Sequence, residues 1–524
     1  MNDLILTADR IGAEYLRDES RSTGTAQFAV FAKSCEDVRT ALRFAEENDL
    51  PVTIQGGRTG LAGAAVPDGG LILTLSGMDR LTGMAYENGK YILFAEPGVV
   101  LLELRKQIST RKIDTSGWSE ESRQVFSRFF TDKEQFFPTD PTETSATLGG
   151  MTACNASGAR SFRYGAMRGH VGGLKMILAD GRTVKIRRGE CFAKGLSACL
   201  PCEDGSSVEF KLPSYKMPDV KNASGYYSAP DMDLIDLLIG SDGTLGVITE
   251  LQLILEPLPE AIWGASFLFE KEKNALTFVN LVRSEKSVVS LEYFDAGALE
   301  ILREQKAAGS AFASLPEVPE CIQSIVYAEL HCTDEETALE RLLLLGGLAE
   351  KAGGSEKDTW VARNTGDLDG LMFFRHAVPE STNMKIDALR KKEPSLTKMG
   401  SDMSVPDDKL FEVMDLYRNG IEKLGLRSAI WGHIGNNHLH VNLLPSSAED
   451  AARVKEMFLS WAAKVTQMGG AVSAEHGVGK LKASFLEIMY GPEHIEEMRA
   501  VKRAFDPAWR LGNGNLFSKE GGVK

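Results

Sequence analysis

Gln55-Gly56-Gly57-Arg58-Thr59-Gly60-Leu61-Ala62-Gly63 decides the fold class through the residues on its C-terminal side. Glycines at this density let backbone N–H groups approach a phosphate closely. A dinucleotide fingerprint of the Rossmann kind would next open a helix. Here the chain runs through Ala64-Ala65-Val66-Pro67-Asp68-Gly69-Gly70 into Leu71–Leu75, an apolar run that reads as a strand. A helix-capping dinucleotide loop is thereby excluded. A phosphate-cradling loop between strands and a glycine-rich turn with no ligand both stay open.

Working outward, a helix is predicted over Glu36–Asn48 and strands over Pro51–Gln55 and Tyr91–Ala95. Lys175–Ala179 and Thr183–Ile186 flank an Asp180-Gly181 turn, a hairpin signal. Residues 109–137 are polar with few turn signals and read as an insertion over the core. Beyond them come Pro138-Thr139-Asp140-Pro141-Thr142, then Leu148 through Gly158 (LGGMTACNASG), then Arg163-Tyr164-Gly165, and later Ile239–Thr249 (IGSDGTLGVIT). Small and hydroxylated residues without helix or strand period are costly to order unless something fills the space they enclose.

Together QGGRTGLAG, FFPTDPTETSATLGG, NASGARSFRYG, LADGRTV and GSDGTLGVIT resemble, in order and spacing over about the first 255 residues, the FAD domain of the vanillyl-alcohol-oxidase/PCMH flavoprotein family. The resemblance implies that the 56–63 loop and the 149–158 segment hold the pyrophosphate and ribityl chain, with Gly246–Ile248 near the adenine end. The residues it sets around the cofactor are Gln55, Gly56, Gly57, Arg58, Thr59, Gly60, Leu61, Pro138, Asp140, Pro141, Thr142, Ser145, Gly149, Gly150, Ala153, Asn155, Ser157, Gly158, Tyr164, Gly165, Gly246 and Ile248. Some relatives attach FAD through a histidine in the first loop. Arg58 and no histidine stands there, so non-covalent FAD is expected.

At 524 residues, 43% hydrophobic and 25% charged, the chain is a folded protein of two or more domains. A net charge of -14 is a poor match for nucleic acid, whose phosphates demand a concentrated basic surface. No stretch approaches the roughly 20 apolar residues of a membrane-spanning helix. The start carries Asp3, Asp9 and Glu14, unlike a basic leader. A cytoplasmic protein is expected, with contact at the periphery of the inner membrane left open. Seven scattered cysteines suit reduced thiols, and the lone Cys199-Leu-Pro-Cys202 makes an iron–sulfur cluster an unsuitable reading.

A second rhythm begins near Pro257 and Pro259. Helices are predicted at Lys271–Ser284, Glu335–Ala352, Asp407–Leu424 and Ala448–Gln467, with strands at Val288–Tyr293, Ser324–Leu330 and a pair within Ala429–Leu444. The fold class is α+β: an FAD domain over 1–256, a cap domain over 257–485 built as an antiparallel sheet flanked by helices, and a segment 486–524 returning to the FAD domain. Four of the eight histidines fall between 433 and 476. With Asn436-Asn437 as a two-residue turn, His433 would face His440 across a hairpin, with Cβ atoms about 4.5–5.5 Å apart. His438 and Asn442 share that face by alternation. Ser473–Lys480 (SAEHGVGK) sets a carboxylate beside an imidazole in a tight turn. Two imidazoles and one carboxylate are a zinc-type donor set with an open position.

These motifs resemble the C-terminal domain of FAD-linked D-2-hydroxy-acid dehydrogenases, a group that includes D-lactate dehydrogenases, the flavin subunit of glycolate oxidase and D-2-hydroxyglutarate dehydrogenase. The likeness extends to FDPAWRLGNGNLF at 505–517. It implies His433, His440 and Glu475 as ligands of a divalent metal, zinc first; His476 as the catalytic base; Arg375 as the holder of the substrate carboxylate; and Asn442 as a polar substrate contact. Lys398 would add charge near the site. It implies a small anionic substrate, D-lactate foremost, whose C2 hydride goes to the flavin. The electron acceptor would be a quinone, a cytochrome, an electron-transfer flavoprotein or an iron–sulfur subunit, and a homodimer is the prior expectation. Where the group has Gly-Asp-Gly-Asn between the paired histidines, this chain has Gly435-Asn436-Asn437-His438, so His438 is an added candidate ligand. The competing readings are a transferase like alkyl-dihydroxyacetone-phosphate synthase, which needs no net oxidation, and a flavin subunit that only relays electrons.

Overall fold

A computed structural model describes residues 4–309, 311–391, 393, 396 and 399–519. The glycine-rich loop leaves the end of Val52–Gln55, the edge of a four-stranded sheet ordered Ile5–Thr7, Phe28–Phe31, Leu71–Thr74, Val52–Gln55. The last three strands are parallel, and the helix Cys35–Glu47, N-capped by Ser34, covers them through Val38, Ala41, Leu42 and Ala45. No helix opens after Gly63; the chain goes to Leu71–Thr74 as the flanking residues require. A second, five-stranded antiparallel sheet runs Leu81–Glu87, Lys90–Ala95, Val247–Ile254, Val171–Ile177, Thr183–Arg187. Within 109–137 the helix Glu120–Thr131 lies on Leu81–Glu87, and Trp118, Phe129 and Phe137 are buried in the core of that sheet.

The second half is an eight-stranded antiparallel sheet between two helical layers. Its path is Trp360–Ala362, Ala261–Phe269, Ser324–Cys332, Val288–Asp295, Ser428–His433, His438–Leu443, Met399–Gly400, with Met403–Ser404 also paired to His438–Leu443. Alternating side chains feed two cores. Phe267, Leu291 and Val326 face the helices Glu272–Val282, Glu335–Lys351, Leu410–Leu424 and Ala448–Gln467. Leu268, Phe294 and Ile325 face Ala296–Ala307 and Thr365–Arg390. Two elements of this layer escape a reading by periodicity. Ala261–Phe269 is buried nearly throughout, so it shows no alternation. Thr365–Arg390, 26 residues with Pro379 inside, carries only six buried side chains.

The central hairpin also differs from expectation. Four residues connect its strands, so His433 pairs with His438 and Trp431 with His440. Ile434–Asn436 form a 3₁₀ turn and Asn437 takes a left-handed conformation at φ 48°. Tertiary contacts favour the longer loop: Ile434 is fully buried, Asn437 donates to the Pro406 carbonyl at 2.7 Å, and Arg283 donates to Asn437 Oδ1 at 2.8 Å. The two-residue change of register conserves parity, so His433, His438 and His440 still share one face.

The C-terminal stretch crosses back. Helix Ala483–Phe505, kinked at Gly491-Pro492, puts Leu486, Ile495, Met498, Val501 and Phe505 into the core of the five-stranded sheet. Leu511 then bridges to Val52 beside the glycine loop. Lys502, 1% exposed, donates to the carbonyls of Thr244 (2.6 Å) and Leu511 (2.9 Å) and pairs with Asp506. Burial lowers this lysine to about 8 against the opposing pull of Asp506. Replacing it with methionine leaves Asp506 buried without its cation, which typically costs about 3–5 kcal/mol. Lys502→Met should therefore lower the denaturant midpoint of the holoprotein by a corresponding amount with little change of slope.

Candidate active site

The glycine loop, the 141–157 segment and the 473–480 loop converge on one cavity of about 280 Å³. Of the residues expected around the cofactor, Gly56, Gly57, Arg58, Thr59, Gly60, Leu61, Pro141, Thr142, Gly149, Gly150, Ala153, Ser157, Gly246 and Ile248 line it. A second cavity shares Gly56, Gly57 and Arg58 and adds Ser145. The others brace the walls. Gln55 donates to the carbonyls of Tyr15 and Ala65, each at 2.8 Å, and Asp140 accepts the Arg160 N–H. Asn155 accepts from the Arg168 N–H, and Tyr164 bonds His331 at 2.8 Å. Gly158 packs so tightly on the Asp140 carbonyl that a Cβ would sit 1.9 Å from it. Pro138 and Gly165 are also absent from both linings.

The walls suit an extended dinucleotide. Gly56 and Gly57 lie against 145–150: a Cβ on Gly56 would stand 2.3 Å from Thr147 Oγ1, and one on Gly57 2.8 Å from the Ser145 carbonyl. A Cβ on Gly60 meets nothing within 4 Å, and Gly60 lines the cavity, so its bare backbone faces open space. Ser157 Oγ, also on the wall, is buried without a hydrogen-bond partner among the described residues. Those are the features of a surface shaped for a polar ligand. Cys154 lines it too, with burial first and Asp242 second pushing its thiol up to about 12.

One end of the cavity is closed by His433, His440, Glu475 and His476. Behind them runs a buried chain of charge. Arg375 Nε donates to Glu292 at 2.8 Å, and the other Glu292 oxygen lies 2.7 Å from His433 Nδ1. His433 Nε2 is 3.0 Å from Glu475 Oε2, which Lys221 Nζ also meets at 2.9 Å. Burial alone would raise Glu292, but Arg375 and His433 outweigh it and hold it at about 2. His440 Nδ1 donates to the Ser401 carbonyl, 3.4 Å away, and burial followed by its imidazole neighbours holds it well below the usual histidine range. Gly432 is glycine for a reason seen here: its φ is +133°, and a Cβ would stand 3.0 Å from the His440 ring.

The 473–482 loop is built on one buried carboxylate. Asp402 accepts from the Glu475 and His476 N–H groups (3.2 and 3.1 Å) and from Ser473 Oγ (2.8 Å), and pairs with Lys482 at 2.5 Å. It also stands 3.5 Å from His476 Nδ1 and 2.8 Å from His438 Nε2. Burial opposes the charge, yet His476, Lys482 and His438 keep Asp402 well below the usual carboxylate range. Asp242 pins the next turn by accepting from the Val478 and Gly479 N–H groups (3.2 and 2.9 Å); burial raises it to about 6. The His476 ring stacks on His440 at 5.4 Å and 7°. Donor atoms of His433, His438, His440 and Glu475 all lie within 4.8 Å of one another, as do those of Asp402, His440 and His476.

Two residues named from sequence sit outside the cavity wall. Arg375 is behind Glu292, and Asn442 is 1% exposed with its amide donating to the His440 carbonyl at 3.0 Å. Lys398 lies outside the described residues. Reading the sequence missed Glu292, Asp402, Lys221 and Asp242. Glu292 carried a signal, a carboxylate inside the otherwise uncharged run VVSLEYF. The rest depend on contacts between distant segments.

A glycine-walled chamber ending in imidazoles and carboxylates suits flavin chemistry, in which the cofactor carries the redox step and the protein supplies binding, orientation and electrostatics. The chain belongs to the FAD-linked oxidases: residues 258–516 match the family described as FAD linked oxidases, C-terminal domain, and residues 26–115 and 123–187 match the FAD binding domain. It is 26% identical over 525 residues to D-lactate dehydrogenase of Anaerostipes hadrus, covering 98% of this chain and 95% of that protein. It is also 26% identical over 531 residues to D-2-hydroxyglutarate dehydrogenase of Stutzerimonas stutzeri, covering 98% and 96%. In fold it is similar to an alkyldihydroxyacetonephosphate synthase structure, with a TM-score of 0.63 at 14% identity over 98% of this chain and 82% of that one.

Removing the Asp242 carboxylate strands two buried N–H groups of the loop that carries His476, at about 1–3 kcal/mol each. A 1 Å misplacement of a catalytic group can cost about 100-fold in rate. Asp242→Ala is expected to lower the rate of flavin reduction by about that factor, read by anaerobic stopped flow, with the oxidised flavin spectrum retained.

Proposed function

We propose that this chain oxidises a small D-2-hydroxy acid, D-lactate foremost, to the 2-keto acid with non-covalently bound FAD. The observation that carries the reading is the presence of His476, His433, His440 and Glu475 on the wall of the same cavity as the glycine loop. The two hydroxy-acid dehydrogenases it resembles along nearly their whole length support the substrate class. When bound, FAD supplies a two-electron acceptor for the C2 hydride, and a divalent ion, zinc first, supplies a Lewis acid held by His433, His440 and Glu475.

The chain's own residues supply position and proton transfer. His476 is the base. With the Nδ1 proton directed at Asp402, 3.5 Å away, Nε2 is the nitrogen that takes the 2-hydroxyl proton. Asp402 thereby orients the ring and steadies the imidazolium that forms. Arg375 is assigned the substrate carboxylate, because a guanidinium bonded to Glu292 through Nε still has its terminal fork of N–H donors to offer. Asn442 is assigned a supporting contact and Lys398 added charge. Arg58, its guanidinium 4.3 Å from the centre of the Tyr15 ring, is assigned to the cofactor phosphates. Electrons pass on to a quinone, a cytochrome, an electron-transfer flavoprotein or an iron–sulfur subunit. Among the described residues no helix is long and apolar enough to cross a membrane.

Anaerobic addition of D-lactate should bleach the flavin, and a panel of chiral 2-hydroxy acids should reveal stereospecificity for the D form. If no member of the panel bleaches it, the reading fails. His476→Ala should retain FAD and slow bleaching by about 10²–10⁴-fold, the usual worth of a general base. Bleaching at the native rate would remove His476 from the mechanism. Arg375→Lys should raise KM by about 10- to 100-fold, the equivalent of one charged hydrogen bond of about 1.5–3 kcal/mol. A fall in metal content with KM unchanged would instead make Arg375 a positioning residue acting through Glu292 and His433.

A further inference from the structure

His438, paired with His433 across the hairpin and with its ring 4.6 Å from that of His440, is 0% exposed, and neither of its ring nitrogens makes a hydrogen bond of acceptable geometry among the described residues. Its Nε2 stands 2.8 Å from Asp402 Oδ1 and its Nδ1 stands 3.5 Å from Glu475 Oε2. The same division of labour appears in its neighbours. His433 turns Nδ1 to the Glu292 carboxylate and Nε2 to Glu475 Oε2, and His440 turns Nδ1 to the Ser401 carbonyl. An imidazole with one nitrogen on a carboxylate or carbonyl and the other aimed at a shared point is the arrangement of a metal ligand, its outer partner fixing tautomer and ring orientation.

We propose that His438 is itself a ligand, so that this chain holds its ion with three imidazoles and one carboxylate: His433, His438, His440 and Glu475. The proposal rests on the reading of this cluster as a metal site and gives it a donor set of its own. Tetrahedral zinc with bonds of about 2.0–2.2 Å puts its donors about 3.4 Å apart. The four donors here, within 4.8 Å of one another, close on the ion with movements of about 1 Å or less. Four nitrogen and oxygen donors favour zinc over magnesium or calcium, which take six or more oxygens. With three imidazoles and one carboxylate holding it, the ion would still supply a Lewis acid at this end of the cavity. Lys221, 2.9 Å from Glu475 Oε2, must withdraw toward the Gly158 carbonyl, which it already contacts at 3.2 Å.

The test uses the FAD-loaded protein, with zinc as the probe. Zinc per flavin is measured by elemental analysis, zinc affinity by chelator competition, and the site's symmetry by visible absorption after cobalt replacement. His438→Asn is expected to weaken zinc by more than the about 10–100-fold that loss of an outer-shell partner costs and to move the cobalt bands, with FAD retained. X-ray absorption on the unmutated zinc protein, which needs no variant to fold, should count three imidazoles. Two imidazoles, or a His438→Asn protein with unchanged cobalt bands and zinc affinity, would overturn the proposal. A His440→Asn protein separates the two levels of failure. If it loses zinc while His438→Asn does not, the metal site stands and His438 is structural. If the unmutated protein takes up no zinc, the ammonium of Lys221 serves the cluster instead, and both readings fall.

Discussion

The Asp402 carboxylate is the constraint on which the site depends. It is 3% exposed, carries its charge in the interior, and is surrounded by donors from Ser473, Glu475, His476 and Lys482. A buried anion is tolerable only when it is paired and hydrogen-bonded. Here the groups that satisfy it belong to the loop that carries Glu475 and His476, the proposed metal ligand and base. The loop cannot leave its place without stranding the anion, and the anion keeps its charge while the Lys482 ammonium and several N–H groups hold it. Glu292 stands in the same relation to Arg375 and His433 within the same cluster. Two buried carboxylates thus fix His433, His438 and His476 without any of the three being on a rigid helix.

This arrangement joins the two halves of the chain. Lys221 and Asp242 come from the FAD-binding half and reach Glu475 and the 478–479 turn of the other. Arg160 from the first half pairs with Glu329 in the eight-stranded sheet at 2.7 Å, and Tyr164 bonds His331 beside it. The interface therefore carries buried ion pairs and hydrogen bonds beside its apolar contacts. Removing one partner of such a pair is far more damaging than never having had it, which makes the relative placement of the two halves specific.

Much of this was legible in the amino-acid order. The helices Cys35–Glu47 and Ala448–Gln467 announce themselves through caps and an apolar stripe, and both match the predicted spans within a residue. The glycine segments that wall the cavity were readable because glycine and small hydroxylated residues have few other reasons to cluster. The hairpin register was misread because two adjacent asparagines look like a tight turn. The structure spends four residues there so that Ile434 stays in the core and Asn437 meets Pro406 and Arg283. Histidine positions survived the error only because the shift was even. Asp402 and Lys221 had no local signature, and Asp242 was legible only as a member of IGSDGTLGVIT: their roles exist in contacts across 74, 254 and 237 residues of chain, and no periodicity reports those.

The bridge between Leu511 and Val52 carries a consequence for biosynthesis. The parallel sheet beside the cofactor loop acquires its last neighbour only after the whole eight-stranded half has been translated. Until then, on the ribosome, the amino-terminal half can pair its own strands but lacks Trp509, Leu516 and Phe517 from its core. With FAD seated as proposed against that loop, completion of the cofactor site awaits synthesis of the returning segment. A nascent polypeptide, or one cut short before it, would present an unfinished flavin pocket to chaperones and proteases rather than a working half-enzyme.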